Sequence, residues 1–567
     1  MAARLTTYIV VAIVAATLIA GLIVGAQRDD SSGPVDLIVH NAAVYTADGG
    51  DPTAEAVAVR GNQILRVGSE REIMRLRRPQ TLVIDAGGGA VLPGFNDVHA
   101  HPIDAGLALE GVDLLDAASV EEMQDRIAAW AGTHPEELWI RGRGWTYDAF
   151  DENGPTRQQL DRIVRDRPVR LLSADGRDAW VNTKALQLAG IARDGRNGDG
   201  TGLLRGSATE RVERLVPAPT RAERARALRT AIARAHEYGV TSLQLIGGSV
   251  QDVELFDEAL RDRAWAMRIY SALTVRPPLD AATADALDAI WKQHGDDPLF
   301  KTGAISVTLD GPIDTGDAAL LDPYAGRGDG RGEPRLTPAQ LQRIVMSMDA
   351  RGWQVMIDAN GDRAVRMALD AFQAAVEAND RPARGRRHRI EQVELVDPQD
   401  VPRFDALGII AAMQPYAATR EMAPLGWWSR QLGADRAARG WAAATLASAG
   451  AKLAFGSGWP AGPIDPMLAL HAAVTRTRPD GTPEGGWHPE ERLTLEAAIN
   501  AYTSAAAWAS FDEHRKGMIK PGMLADIVVL DRNIFEEPPS ALASTTVDFT
   551  IFDGKVVYRR DKHRDTE

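Results

Sequence analysis

Eight short apolar runs, most of them followed by a helical segment, recur through the middle of the chain. Alternating strands and helices predict β/α units with parallel strands, and eight units within residues 94–510 predict a (β/α)8 barrel of the TIM type. A doubly wound sheet is the alternative, but no phosphate-binding glycine fingerprint follows a first strand. The eight runs are AVLPGFNDVHAH, VTSLQLIGG, MRIYSALTV, GAISVTLDG, WQVMIDANG, HRIEQVELV, GIIAAMQP and AKLAFGSGWP.

The two ends of the chain share a sequence pattern that differs from that of the middle. Residues 35–93 and 511–560 contain short β-branched runs separated by Gly and Asp, as in DLIVHNAAVYTADGG and VDFTIFDGKVVYRR. Such runs are typical of strands joined by tight turns. We therefore expect one small β-sandwich built from both ends, an insertion at 104–221 between the first two barrel strands, and a tail at 561–567.

Composition and charge exclude several classes of function. A chain of 567 residues with 45% hydrophobic content is large enough for a barrel and a smaller companion domain. A net charge of −14 without a basic block argues against nucleic-acid binding and leaves a small molecule as the expected partner. The absence of cysteine excludes disulfides, thiolate zinc sites and cysteine nucleophiles, while the sequence does not determine the oligomeric state.

The N-terminus carries an uncharged apolar run from Leu5 to Ala26, about the length that spans a bilayer as a helix. Arg4 before it and acidic residues after it predict a body outside the cytoplasm. Residues 1–26 are therefore either a single-pass membrane anchor or a signal peptide, since VGA before Gln27 suits cleavage. We expect an exported protein, membrane-anchored or secreted, with residues 27–34 as a linker.

The stretch PGFNDVHAHP places His99 and His101 two positions apart on a predicted strand, so both imidazoles face the barrel mouth. Asp97 is expected on the same face. The spacing alone leaves two interpretations open, a pair of metal ligands or a structural pair in a polar barrel end.

The chain after Pro34 resembles the amidohydrolase superfamily, specifically the amidohydrolase 3 group of YtcJ-like proteins. This resemblance implies a metal-bearing (β/α)8 barrel with a β-sandwich, and metal-dependent hydrolysis of non-peptide carbon–nitrogen bonds in amide-type small molecules. The matching stretches include PGFNDVHAHP, GWTYDAFDENGPTRQQLD, WVNTKALQLAGI, LDGPIDTGDAALLDPY, ANGDRAVRMALDAF, RHRIEQVEL and GMIKPGMLADIVVLDRN.

Only the two histidines of the first strand match the family's functional residues. The other positions carry Ser306 for a metal-bridging lysine, Asp358 and Gln392 for histidines, Gly458 for the strand-eight aspartate, and Arg177 for a histidine of a DGH motif. Glycine cannot take a proton from metal-bound water, and serine cannot bridge two cations as a carboxylated lysine does.

We therefore expect at most one divalent metal on His99, His101 and Asp358, and zinc is the metal we expect there. Two histidines and one carboxylate also occur in non-haem iron sites. Two functions stay open, a one-metal hydrolase of small amides and a catalytically degraded protein that binds a small ligand in the same pocket.

Further residues are expected around that pocket. Asp310 is a weak candidate for a general base, although in LDG an aspartate more often shapes the turn. The predicted lining is Trp145, Arg177, Ser306, Gln392, Gly458 and Trp459, although tryptophans are more often simply part of a core.

Overall fold

A computed structural model describes residues 34–561, except 116, 152–153, 175, 177, 192–198, 262–265 and 422–426. The apolar segment from Leu5 to Ala26 and the predicted pocket residue Arg177 lie outside the described residues. Within the described part of the chain, no helix has the length and apolar character needed to cross a membrane.

The predicted barrel is confirmed. Eight strands pair in parallel in chain order, and a bridge between Ala100 and Trp459 brings the last strand back to the first. The inward face carries small or unbranched apolar residues such as Ala304 and Met356, while outward residues such as Ile305 pack into the core beneath the helices. The strands are Phe95–Ala100, Val240–Gly248, Arg268–Thr274, Phe300–Thr308, Gln354–Ala359, Arg389–Gln392, Ile410–Met413 and Lys452–Phe455.

Helices surround this ring. The helix Arg221–Glu237 is an example. Thr220 accepts a hydrogen bond from the backbone N–H of Glu223 at its start, and alanines with Leu228 and Ile232 make up most of its buried face. The described helices of the barrel are Pro102–Leu109, Arg221–Glu237, Val250–Arg261, Ala281–His294, Pro338–Ala350, Asp362–Ala378, Val401–Leu407, Trp427–Leu432, Ala434–Ala437, Ala443–Ser448, Pro466–Thr475, Leu495–Tyr502 and Ser504–Ala509.

The β-sandwich formed by both chain ends is also confirmed. Strand Ala90–Pro93 from the N-terminal part pairs antiparallel with Ile527–Leu530 from the C-terminal part. The six-stranded sheet runs in the order Lys555–Arg559, Val547–Phe552, Ile527–Leu530, Ala90–Pro93, Ala43–Tyr45 and Thr53–Ala54. The four-stranded sheet, with the short helix Glu70–Met74 beside it, runs in the order Gln63–Gly68, Ala56–Arg60, Leu37–His40 and Leu82–Asp85.

The insertion after the first barrel strand has a sheet and a core of its own, which the sequence patterns did not predict. Trp145 and Trp180 are both fully buried there. Its five strands run in the order Leu203–Leu204, Ala179–Val181, Val169–Ser173, Ile140–Trp145 and Val112–Asp113. Its helices are Val120–Thr133, Arg157–Asp161, Thr183–Leu188 and Ser207–Glu213.

Candidate functional site

The two histidines lie at the end of the first barrel strand, as predicted. Their ring centroids are 5.4 Å apart and the ring planes are nearly perpendicular, at 75°. The backbone N–H of His101 donates to the carbonyl of Trp459 at 2.8 Å, which holds this strand end against the turn after the eighth strand. The H-x-H spacing therefore brings both imidazoles together at the barrel mouth.

A buried carboxylate that sequence reasoning missed orients His99. Nδ1 of His99 donates to Oε2 of Glu391 at 3.0 Å, and Oε1 of Glu391 accepts from Nε of Arg389 at 2.7 Å. Arg389 also donates to the carbonyl of Val98 at 2.7 Å, and this bond links the sixth strand to the first. Since carboxylates only accept, this contact places the proton on Nδ1 and leaves Nε2 for a ligand.

The electrostatics of the two histidines differ. Burial disfavours the charged form of His99, but Glu391 and Asp358 outweigh that effect and raise its pKa. The pKa of Glu391 is lowered because Arg389 and His99 together outweigh its own burial. Burial, with His99 and Arg143 nearby, lowers the pKa of His101 to about 3. Glu391 and Asp358 thus favour the charged form of His99, whereas burial favours the neutral form of His101.

Asp358 lies near the end of the fifth strand, close enough to interact electrostatically with His99. Its side chain is half-buried, and Oδ1 is shielded from solvent with no hydrogen-bond partner among the described residues. Oδ2 is 3.4 Å from the hydroxyl of Thr308. Burial raises the pKa of this carboxyl. Asp358 is therefore an acceptor available to a ligand.

Asp97 does not join the two histidines as predicted. Its Oδ1 accepts from the backbone N–H groups of His99 and Ser457, both at 3.0 Å, so it ties the first strand to the turn after the eighth. The strand pairing shifts register between Asp97 and Ala100, which breaks the alternation of faces on which the prediction depended. Burial raises the pKa of Asp97 to about 6.

Three predicted pocket residues lie at ends of the barrel strands or just beyond them. The hydroxyl of Ser306 accepts from the backbone N–H of Gly247 at 3.1 Å. Gln392 is half-buried with a positive φ of 72°. Gly458 also has a positive φ, 69°, and its N–H donates to the carbonyl of His99 at 2.8 Å.

The remaining candidates, Asp310, Trp459 and Trp145, lie in positions where they support the fold. Asp310 is fully buried and accepts from the backbone N–H groups of Ala319, Asn360 and Gly361 at 2.9 to 3.0 Å, so it shapes the loops after the fourth and fifth strands. Burial raises its pKa to about 6. Trp459 lies in the main core, and Trp145 lies in the core of the insertion with its indole N–H on the carbonyl of Leu171.

Gln414 is a second residue that sequence reasoning missed. It directly follows the seventh strand, and its side chain is only 3% exposed. Neither its Oε1 nor its Nε2 has a hydrogen-bond partner among the residues that the structure describes. A Cβ placed on Gly458 would lie 3.6 Å from Cγ of Gln414, so the two positions are neighbours.

The amidohydrolase family model matches residues 82–558, which include the whole barrel and about half of the sandwich strands. The chain belongs to the amidohydrolase family. It is 30% identical to the protein LONG AFTER FAR-RED 3 of Arabidopsis thaliana, over 92% of this chain and 91% of that protein. It is 28% identical to YtcJ of Bacillus subtilis (strain 168), over 92% of this chain and 99% of that protein.

The fold of this amidohydrolase-family chain is also that of a solved hydrolase. An uncharacterized metal-dependent hydrolase from Pyrococcus horikoshii OT3 superposes with a TM-score of 0.71 at 23% identity, over 89% of this chain and 99% of that one.

Those side chains do not fit the metal site that the resemblance implies. Among the described residues, no three His, Cys, Asp or Glu side chains form a group arranged to hold an ion. Gly458 offers no donor, and the Ser306 hydroxyl is bonded to Gly247. The site presents the imidazole of His99, an unpaired carboxylate oxygen on Asp358 and an unpaired amide on Gln414.

Proposed function

We propose that this amidohydrolase-family protein binds a polar small molecule at the barrel mouth without the metal-dependent hydrolysis that its family resemblance implies. The observation that carries this proposal is a pair of side chains, Asp358 and Gln414, with buried polar atoms that nothing in the described chain satisfies. Buried polar groups are nearly always hydrogen-bonded in native proteins, so such atoms at a barrel mouth favour a bound polar ligand.

The acid–base groups favour binding over turnover. Hydrolysis requires a group that takes a proton from the attacking water and passes it to the leaving group. Gly458 has no side chain to do this, and the carboxylate of Asp310 is occupied by backbone donors. Nδ1 of His99 already donates to Glu391. Neither Gly458 nor Asp310 can therefore act as the base.

The charges at the mouth indicate what kind of ligand is held. Asp358 supplies an unpaired acceptor oxygen. The carboxylates of Glu391 and Asp358 favour the protonated form of His99, in which Nε2 is a donor. A ligand with both an N–H donor and a carbonyl acceptor satisfies both groups. Amide-type molecules have this combination, so the ligand class stays close to the chemistry expected from the family.

A one-metal hydrolase is the second candidate, favoured by a specific contact. A histidine that donates Nδ1–H to a carboxylate, as His99 does to Glu391, is a common arrangement for metal-ligating histidines. On this account His99, His101 and Asp358 would hold one ion, and their side chains would have to move from the positions described here to do so. Elemental analysis after incubation with Zn²⁺ and gel filtration should then give no more than one ion per chain, lost in His99→Ala; two ions would contradict both candidates.

Ligand binding is tested directly with a panel of formamides, N-acyl amino acids and cyclic amides, using ligand-observed NMR on the full chain. We expect at least one class to bind, and Asp358→Ala to weaken it about tenfold or more, because a hydrogen bond to a charged group contributes about 1.5–3 kcal/mol. Asp125→Ala, which removes an exposed carboxylate on an insertion helix, is the matched control and should bind normally. No binding by any class would refute the proposal.

We also propose that the protein is exported, as an anchored or a secreted form. The support is the apolar run from Leu5 to Ala26 and the charges that flank it.

A further inference from the structure

We propose that Gln414 recognises a ligand group whose N–H and C=O lie on the same side, as in a lactam, a cyclic ureide or a primary carboxamide. This inference rests on the proposed function, because it names the chemistry that the same pocket selects. It assigns a specificity-determining role to a residue outside the histidine pair.

The position of Gln414 follows from strand alternation. Ile410 and Ala412 of the seventh strand pack with Val98 and Ala454 in a cluster inside the barrel. Alternate residues of a strand share a face, so Gln414, two positions after Ala412, continues that inward row at the mouth. A polar side chain thus follows an apolar row at the level where ligands bind in this fold.

The side chain is buried without the bonds that burial normally requires. Gln414 is 3% exposed, and both Oε1 and Nε2 lack a hydrogen-bond partner among the described residues. A buried amide left unpaired costs about 1–3 kcal/mol for each group. A ligand that pairs with both atoms would remove this cost, whereas a ligand with only one matching atom would remove half of it.

Gly458 lies beside the Gln414 side chain and is bonded to the backbone of His99. A Cβ at this position would lie 3.6 Å from Cγ of Gln414, so a longer side chain here would occupy space beside the amide. The N–H of Gly458 donates to the carbonyl of His99. Gln414 therefore lies near the histidine pair, next to the turn that follows the eighth strand. The position where the resemblance implies an aspartate, Gly458, is therefore next to the unpaired amide of Gln414.

The geometry of a primary amide defines the partner. The Gln side chain presents one N–H and one C=O along the same edge, and two parallel hydrogen bonds form only with a group that has the complementary pair on one side. Lactams, cyclic ureides and primary carboxamides have this arrangement. The trans amide of an N-acyl amino acid has its N–H and C=O on opposite sides, and an N-methyl lactam has no N–H.

The test measures dissociation constants of three probes by ligand-observed NMR on the full chain: 2-piperidone, N-methyl-2-piperidone and N-acetylglycine. We expect 2-piperidone to bind about tenfold or more tightly than its N-methyl analogue, which corresponds to about 1.4 kcal/mol. Gln414→Met, of similar volume, should abolish this preference, and Gln414→Glu should weaken 2-piperidone because a carboxylate has no donor. Gln373→Met, at an exposed helix position, should leave it unchanged.

The outcomes separate this inference from the proposed function. Binding of N-acetylglycine with no preference between the two piperidones would overturn the role of Gln414 and leave the proposed function standing. A preference that persists in Gln414→Met would overturn it as well. If no probe and no member of the wider amide panel binds, the proposed function itself fails. The comparison of the two piperidones on the wild-type chain needs no variant, so a variant that does not fold leaves the test intact.

Discussion

Glu391 and His99 lie in contact at 3.0 Å although 292 residues separate them in the sequence. Both side chains are buried, and Glu391 also bonds to Arg389, which is fully buried as well. This contact orients the imidazole at the barrel mouth.

Glu391→Gln should destabilise the fold strongly. It removes the only negative charge bonded to Arg389 among the described residues, and breaking a buried ion pair typically costs about 3–5 kcal/mol. Urea unfolding should therefore show a loss of about 3 kcal/mol. Glu333→Gln is the control, because Glu333 is 87% exposed beside Arg363 and its loss should cost less than about 1 kcal/mol. Equal effects of the two changes would show that the buried pair contributes little.

Gly458→Asp should not create a hydrolase. Gly458 has a φ of 69°, a conformation that costs a residue with a Cβ about 1–2 kcal/mol. We expect Gly458→Asp and Gly458→Ala to lose comparable stability, about 1 kcal/mol each, and neither to gain turnover. A placed base contributes about 10²- to 10⁴-fold in rate, so a gain of that size in the Asp variant alone would mean that a decayed metal site is otherwise intact.

Glu394 should make the stability depend on pH. Burial, with Asp314 nearby, raises the pKa of its carboxyl from 4.5 to about 8. Between those values the folded chain holds a proton that the unfolded chain has released, so the contribution of Glu394 to stability falls as pH rises through this window. Glu394→Gln stays neutral and still accepts from the indole N–H of Trp428.

The free energy of unfolding of the Glu394→Gln variant should therefore rise relative to wild type between about pH 5 and pH 8. The measurement is a series of denaturant titrations across that range, with Glu333→Gln as the control for an exposed glutamate. A difference between Glu394→Gln and wild type that does not change with pH would show that Glu394 titrates normally.

The barrel could be predicted because its eight strands are long enough to show an apolar pattern and are separated by helical segments. The sheet of the insertion could not, because strands such as Val112–Asp113 and Leu203–Leu204 are two residues long and carry no periodicity. The pairing of those strands depends on a core around Trp145 and Trp180 that forms only in three dimensions.

The site was predictable only where its residues are neighbours in sequence. His99 and His101 share a strand, so their spacing predicts that their rings meet. Glu391 reaches His99 from a distant strand, and the RIEQ stretch that contains it gives no indication of which residue it contacts. Alternation along the strand predicts Asp97 beside the histidines, but the register shift that follows Asp97 cannot be read from the sequence.

Export should be visible with a topology reporter. An alkaline phosphatase fused after Asp30 should be active, because the flanking charges place the chain beyond that point outside the cytoplasm. A cytoplasmic reporter fused at the same residue is the control and should be inactive. The opposite pattern would rule out export, and a mature protein that begins at Gln27 would identify a signal peptide instead of an anchor.

The most direct test of the account is turnover by the wild-type protein. Purified protein, with and without added Zn²⁺, is incubated with formamides, N-acyl amino acids and cyclic amides, and the released amine or carboxylate is quantified against His99→Ala. We predict that the wild type releases no more product than His99→Ala with any substrate, although at least one substrate binds. Metal-dependent hydrolysis by the wild type that His99→Ala abolishes would contradict the account and establish the one-metal hydrolase.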